Sequence, residues 1–417
     1  MAKQSARTAT PRLRFPEFRN GSPWRTYLLE ELEVLAWIEL GRGNVISNQD
    51  IQKIPGNFPI YSSSVKNDGY MGSYGRFMFD EELISWSIDG GGDFFYRPKH
   101  KFSVTNVSGY MRLVADHLNY RFTATQLQSL HSSQVFDYQL KAHPSVIRKL
   151  YRLAVPDKAE QQKIADCLTS LDEVIAAQGR KVETLKAHKR GLMQQLFPRE
   201  GETRPRLRFP EFRDAPEWIA RRLGDLMVIG SSRRVHESDW TTEGVPFYRA
   251  REIVALGKGE SIEPLFISET LYEEFTGFTG QIEAGQLLVT GVGSIGIPYL
   301  VKRDDRFYFK DGNIIWFKND QSDISGDFLY RLFESVSVQA QIATMAGIGT
   351  VGTYTIENAR RTVAVFPEDM REQQRIADCL SSLDNQITAE SNRLAALKTH
   401  KQGLMQQLFP APEATGA

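Results

Sequence analysis

Two stretches of the chain carry apolar residues at alternating spacings of four and three. In the first they fall at Ile164, Leu168, Leu171, Ile175, Val182, Leu185, Leu192 and Leu196. In the second they fall at Ile376, Leu380, Leu383, Ile387, Leu394, Leu397, Leu404 and Leu408. This is the seam of a coiled coil, and it predicts two long helices over 156–198 and 367–410. Gln178 and Glu390 take matching seam positions, as do Lys189 and Lys401. Polar seam residues fix register and orientation at some cost in stability. An Asp three residues before a Glu (Asp157 with Glu160, Asp369 with Glu372) reads as a capping signature at each start. Phe197-Pro198 and Phe409-Pro410 mark the ends, because Pro restricts the residue before it. Neither helix has another evident partner of its length, so antiparallel pairing is expected; the alternative is that each packs on its own domain.

Elsewhere the pattern changes. Short apolar runs rich in Val, Ile, Phe and Tyr, separated by Gly, Asn and Ser, predict strands and hairpins: EELISWSIDGGG, FSVTNVSGYMRLV, GQLLVTGVGSIGIPYLV and NIIWFK. Helical patches recur late in each such region, at FTATQLQSLHSSQV and GDFLYRLFESVSVQAQIATM.

The chain also repeats itself. Residues 160–198 and 372–410 align without gaps at 25 of 39 identical positions, an offset of 212. PRLRFPEFRNGSPW at 11–24 returns as PRLRFPEFRDAPEW at 205–218, an offset of 194. The intervening stretches are unlike each other and differ in length. The order is therefore variable–constant–variable–constant: domains over 11–155 and 205–366, each followed by a long helix. Antiparallel helices of this length, about 60 Å, would act as a spacer between the two inserts.

Composition excludes more than it selects. The chain has 417 residues, with 51 basic and 51 acidic side chains. That balance argues against nonspecific coating of nucleic acid, which runs on net positive charge, but leaves room for a local reader. No apolar run reaches the roughly 20 residues of a membrane span, and the start lacks the apolar core of a secretory signal. Cys167 and Cys379 are related by the repeat and read as buried helix residues rather than a disulfide or metal pair; a reducing, cytoplasmic setting fits. Gly291–Gly296 spells GxGxxG, but Pro298 and a strand-like run follow where a nucleotide site needs a helix, so a glycine-rich hairpin is expected. Gly90-Gly91-Gly92 reads as a loop, and there is no P-loop. His188 and His400 lack ligand-spaced partners. No methyltransferase or nuclease signature is present, so no catalytic or metal site is assigned.

The duplicated EQQ-IADCL-SLD-I helix ending in LK-HK-GLMQQLFP, after RFPEF, resembles the constant regions of type I restriction–modification specificity subunits. The resemblance implies an α+β fold: two target-recognition domains and two constant helices in an antiparallel coiled coil with pseudo-twofold symmetry. It implies a non-catalytic DNA reader for a split, asymmetric target, one half-site per domain. Its partners would be double-stranded DNA, two adenine-methyltransferase subunits and motor/endonuclease subunits. S-adenosylmethionine, ATP and Mg would belong to those partners, with no cofactor on this chain. Hydroxyls and Lys hold phosphates, while Asn and Arg read base edges. The candidates in the first insert are Ser62, Ser63, Lys66, Asn67, Tyr70, Tyr74 and Arg76, from the turn Tyr61–Asn67 onward. In the second they are Arg233, Arg234, Arg249, Arg251, Ser294, Lys310, Thr350, Thr353 and Tyr354. The rival reading is a coiled-coil scaffold that binds only protein.

Overall fold

A computed structural model describes residues 7–64, 66–89, 92–133, 141–347 and 352–411. The chain forms two compact units, Met1–Gly179 with Asn392–Ala417, and Arg180–Ser391.

In the first unit a six-stranded sheet runs in the order Ile38–Arg42, Ser108–Leu113, Phe79–Ser87, Phe94–Val104, Phe58–Tyr61, Tyr70–Tyr74. All neighbours are antiparallel except Phe58–Tyr61 with Phe94–Val104. The strand Phe79–Ser87 is buried on both faces from Leu83 onward, and the polar residues that alternate with its apolar ones there, Ser85 and Ser87, are buried as well. Helix Tyr120–Ser132 starts at the cap Asn119, whose side chain accepts from Phe122 N–H. It buries Ala124 and Leu127 against Ile84, Trp86 and Phe94.

The second unit is built differently. One sheet runs Val228–Gly230, Ile314–Lys318, Leu287–Thr290, Pro298–Leu300; the other runs Trp240–Thr241, Leu265–Ile267, Val245–Tyr248, Tyr308–Phe309. The GxGxxG segment joins Leu287–Thr290 to its antiparallel neighbour Pro298–Leu300, the hairpin expected of it. The predicted late helix is two, Gly326–Glu334 and Val336–Ala346, with Ser335 capping the second.

A common frame underlies both units. Trp24–Leu28 pairs antiparallel with Arg152–Val155, and Ile219–Arg222 with Val363–Phe366. The long helices span Lys158–Leu196 and Met370–Leu408 and stop before the Phe-Pro steps. Every seam residue named above is buried or half-buried. In the first unit Ile164 and Leu168 share a core with Leu408, Phe409, Trp24 and Phe122, and Asp172 pairs with Lys401 at 2.5 Å. In the second, Leu196 shares a core with Ile376 and Leu380, and Lys189 pairs with Asp384 at 2.8 Å. In each unit, then, the start of one helix packs with the end of the other.

Two expectations change. Asp369 caps its helix, accepting from Arg371 N–H at 2.9 Å, but Glu160 and Glu372 do not reach back to complete a box; they are spent on buried ion pairs. Cys167 and Cys379 are free and half-buried rather than buried. His188 and His400 are exposed. Gly90 and Gly91 lie outside the described residues.

Candidate nucleic-acid interface

The frame is locked by the same three side chains twice. Arg14 donates to both oxygens of Glu160, at 2.8 and 2.6 Å, and Trp24 Nε1 donates to the same carboxylate at 3.1 Å. Arg208 donates to both oxygens of Glu372, at 2.7 and 2.6 Å, and Trp218 Nε1 adds a third bond at 3.3 Å. The bond to the carboxylate pushes each arginine's pKa up, against the burial that lowers it. The next residue ties the helix to the insert. The Gln161 side chain accepts from Asn119 N–H and donates to His117 and Pro156 carbonyls. Gln373 repeats this with Ser325 N–H and the Asp323 and Pro367 carbonyls. Asn119 and Ser325 are the caps of the late helices, so each insert is indexed to its long helix through a helix cap. None of these roles was read from the sequence, although the signal existed: Arg14, Trp24, Glu160 and Gln161 all recur at the repeat offsets.

On this frame the first insert presents the turn after Tyr61. Val65 lies outside the described residues. Ser62 and Ser63 are half-buried, and the turn's two ends meet through Ser62 N–H to Gly69 carbonyl at 2.8 Å. Lys66, Asn67 and Arg76 are exposed. Tyr70 is exposed, with its hydroxyl 3.0 Å from Ser73 Oγ. Tyr74 is a correction: its ring is buried in the sheet and its hydroxyl lies 3.3 Å from Ser103 Oγ, so it serves the core rather than a surface.

In the second insert hydrogen bonds gather most of the candidates at adjoining turns. Ser232 Oγ donates to Phe309 carbonyl, and Arg233 N–H to Tyr308 Oη at 2.8 Å, with the Arg233 guanidinium 4.5 Å from the exposed Phe278 ring. Arg234 pairs with Asp311 at 3.1 Å. Lys310 N–H donates to Tyr248 carbonyl, next to Arg249. Ser294 is exposed in the hairpin, and Thr353 bridges to Val292 there. Tyr354 is the second correction: it is buried, with its hydroxyl 2.7 Å from Thr362 Oγ1. Thr350 lies outside the described residues. Arg249 and Arg251 both bind Glu252. Burial alone would raise that carboxyl's pKa, but the hydrogen bonds from the two arginines outweigh it and hold it below its ordinary value. These two arginines, like Arg234, are thus partly neutralised. Lys66, Arg76, Arg233 and Lys310 form no close ion pair among the described residues, Arg76 acting on Asp50 only at longer range, and are better placed to meet phosphate.

Among the described residues no group of His, Cys, Asp and Glu could hold a metal, and no helix is long and apolar enough to cross a membrane.

The model of the type I restriction modification DNA specificity domain matches this chain twice, over residues 27–187 and 216–399. The chain belongs to the type I restriction–modification DNA specificity family. Similar relatives span almost its full length. A Mycoplasma pneumoniae protein named as a type I specificity subunit is 25% identical, covering 88% of this chain and 91% of its own. The MjaVIII specificity subunit of Methanocaldococcus jannaschii is 22% identical, covering 86% of both. The fold is shared with the crystal structure of the S subunit of M. genitalium, at a TM-score of 0.59 and 15% identity over 97% of this chain and all of that one. This specificity subunit thus carries the sequence-reading role of a type I system, and each insert is covered almost throughout by one matched domain.

Proposed function

We propose that this specificity subunit reads a two-part, asymmetric DNA target, one part through each insert, and directs methyltransferase and endonuclease subunits to it. The observation that carries the reading is the duplicated clamp under unlike inserts. Arg14–Trp24–Glu160 and Arg208–Trp218–Glu372 recur, while one insert bears a six-stranded sheet and the other two four-stranded sheets. A scaffold needs no such difference; a reader of two different sequences does. In this reading residues 11–155 and 205–366 are the recognition domains. Residues 156–198 and 367–410 form a continuous antiparallel coiled coil that sets the spacing between half-sites. Two modification subunits bind the subunit, and S-adenosylmethionine, ATP and Mg bind to partners, not to this chain. It neither methylates nor cleaves DNA by itself.

The test is selection from random-sequence duplexes by the subunit assembled with cognate modification subunits. A two-part motif with an unread gap is expected. Recovery of a single continuous motif, or of methylation by the isolated chain, contradicts the proposal.

A further inference from the structure

One buried cation in the first insert has no carboxylate at ion-pair distance. Arg97, on the strand Phe94–Val104, is 4% exposed. Its Nε donates to Ser85 Oγ at 2.8 Å, an Nη donates to the Asp68 carbonyl at 2.6 Å, and its Cζ lies 3.7 Å from the centre of the Tyr61 ring. Among the described residues no carboxylate forms a close ion pair with it, and the Asp68 carboxylate acts on it only at longer range. Removing a guanidinium from water without an opposite charge is costly, and burial pulls its pKa down to about 10, which still leaves it charged at neutral pH. The contacts show what that cost supports. Tyr61 is the entry to the turn and Asp68 lies near its exit, so Arg97 braces the turn from beneath.

The turn is held at other points too. Thr105 Oγ1 donates to Ser62 Oγ at 3.1 Å, and Ser87 Oγ to the Ser63 carbonyl at 2.8 Å. Gly69 has φ 81°, and a Cβ there would come within 2.8 Å of the Ser62 carbonyl oxygen. Asn67 and Asp68, which are not glycine, also sit in the left-handed region, at φ 51° and 52°. Such backbone costs free energy and persists only where the surroundings over-determine it. The product is a tip braced from beneath, with Lys66, Asn67 and Asp68 exposed.

We propose that Asn67 and Asp68 are specificity-determining residues for the half-site read by the first insert, and that Arg97 is the positioning residue that presets them. This rests on the function proposed above. An Asn amide matches the N6/N7 edge of adenine, and a carboxylate accepts from the N4 amine of cytosine. The Asp68 carboxylate is repelled by phosphate, so where the tip meets DNA a base edge suits it better than the backbone; its charge also acts on Arg97 beneath. Lys66 beside it supplies the phosphate contact. A tip fixed before binding loses little freedom on docking, which sharpens discrimination between base pairs.

The test uses the full chain with its modification subunits and random-sequence duplexes. Asn67→Gly removes the side chain but suits the left-handed backbone. Its melting temperature is expected at or above that of the parent, while base preference at one or more positions of one half-site falls on the order of tenfold. The other half-site is expected to be unchanged. Arg97→Lys keeps a charge and loses the planar fork; it is expected to relax the same positions. Unchanged preferences in Asn67→Gly overturn the reading role, and unchanged preferences in Arg97→Lys overturn the positioning role. Equal loss at both half-sites overturns both, since it marks a general loss of fold. If the parent itself selects no two-part motif, the proposed function falls first and this inference with it.

Discussion

Glu160 and Glu372 are each 1% exposed and each bind an arginine and an indole. Buried pairs of this kind contribute little net stability over an apolar replacement, but removing one partner strands the other. Glu160→Ala is expected to destabilise the first unit by about 3–5 kcal/mol, and Arg14→Met combined with Glu160→Leu to recover most of that. Denaturant unfolding checks it; a loss under about 1 kcal/mol for the single change would show that the clamp is solvated, as surface pairs are. The residue scale is also where the sequence was least legible. The hydroxyls of Tyr74 and Tyr354 suggest phosphate contacts, yet a tyrosine is largely apolar, and a buried hydroxyl partner, Ser103 or Thr362, serves each. Arg97 went unnoticed because a basic residue in the run FFYRPKHKF reads as solvent-facing. Which neighbour neutralises a charge is decided by tertiary contacts: Glu252 adjoins Arg251 in sequence, but only the folded turn shows it binding Arg249 as well.

At the scale of elements, legibility was high wherever periodicity was long. The four-and-three spacing marks both 39-residue helices and their buried positions, because thirty-nine residues sample one face many times. The repeat exposes the frame, and Pro298 with the strand-like run after it marks Gly291–Gly296 as the hairpin it is. The capping box failed because Glu serves a cap or an ion pair equally well by sequence, and the nearby Arg and Trp won it. Sheet order could not be read, since strand pairing in both inserts crosses long stretches of chain and includes a parallel pair in each. The helix ends offer a direct check. In a background lacking Cys167 and Cys379, Leu168→Cys with Leu404→Cys is expected to form a disulfide readily, since both side chains join the first unit's core. Leu168→Cys with Leu380→Cys is expected not to, since Leu380 belongs to the second unit's core. Efficient linkage of the latter pair would mean parallel packing.

For the whole molecule, the balanced charge of 51 basic and 51 acidic residues leaves affinity to local surfaces rather than to a net field. Of the candidate cations, Arg234, Arg249 and Arg251 are paired with carboxylates, which leaves Lys66, Arg76, Arg233 and Lys310 to carry that local surface. Two matched specificity domains on one duplicated frame make a sharper demand: the inserts must read independently. Replacing residues 25–155 with the insert of a relative, and sequencing the DNA methylated by the assembled complex, tests this most directly. The predicted result is a target in which one half-site changes, while the other half-site and the gap stay as in the parent. A change in both half-sites, or in neither, would contradict the account.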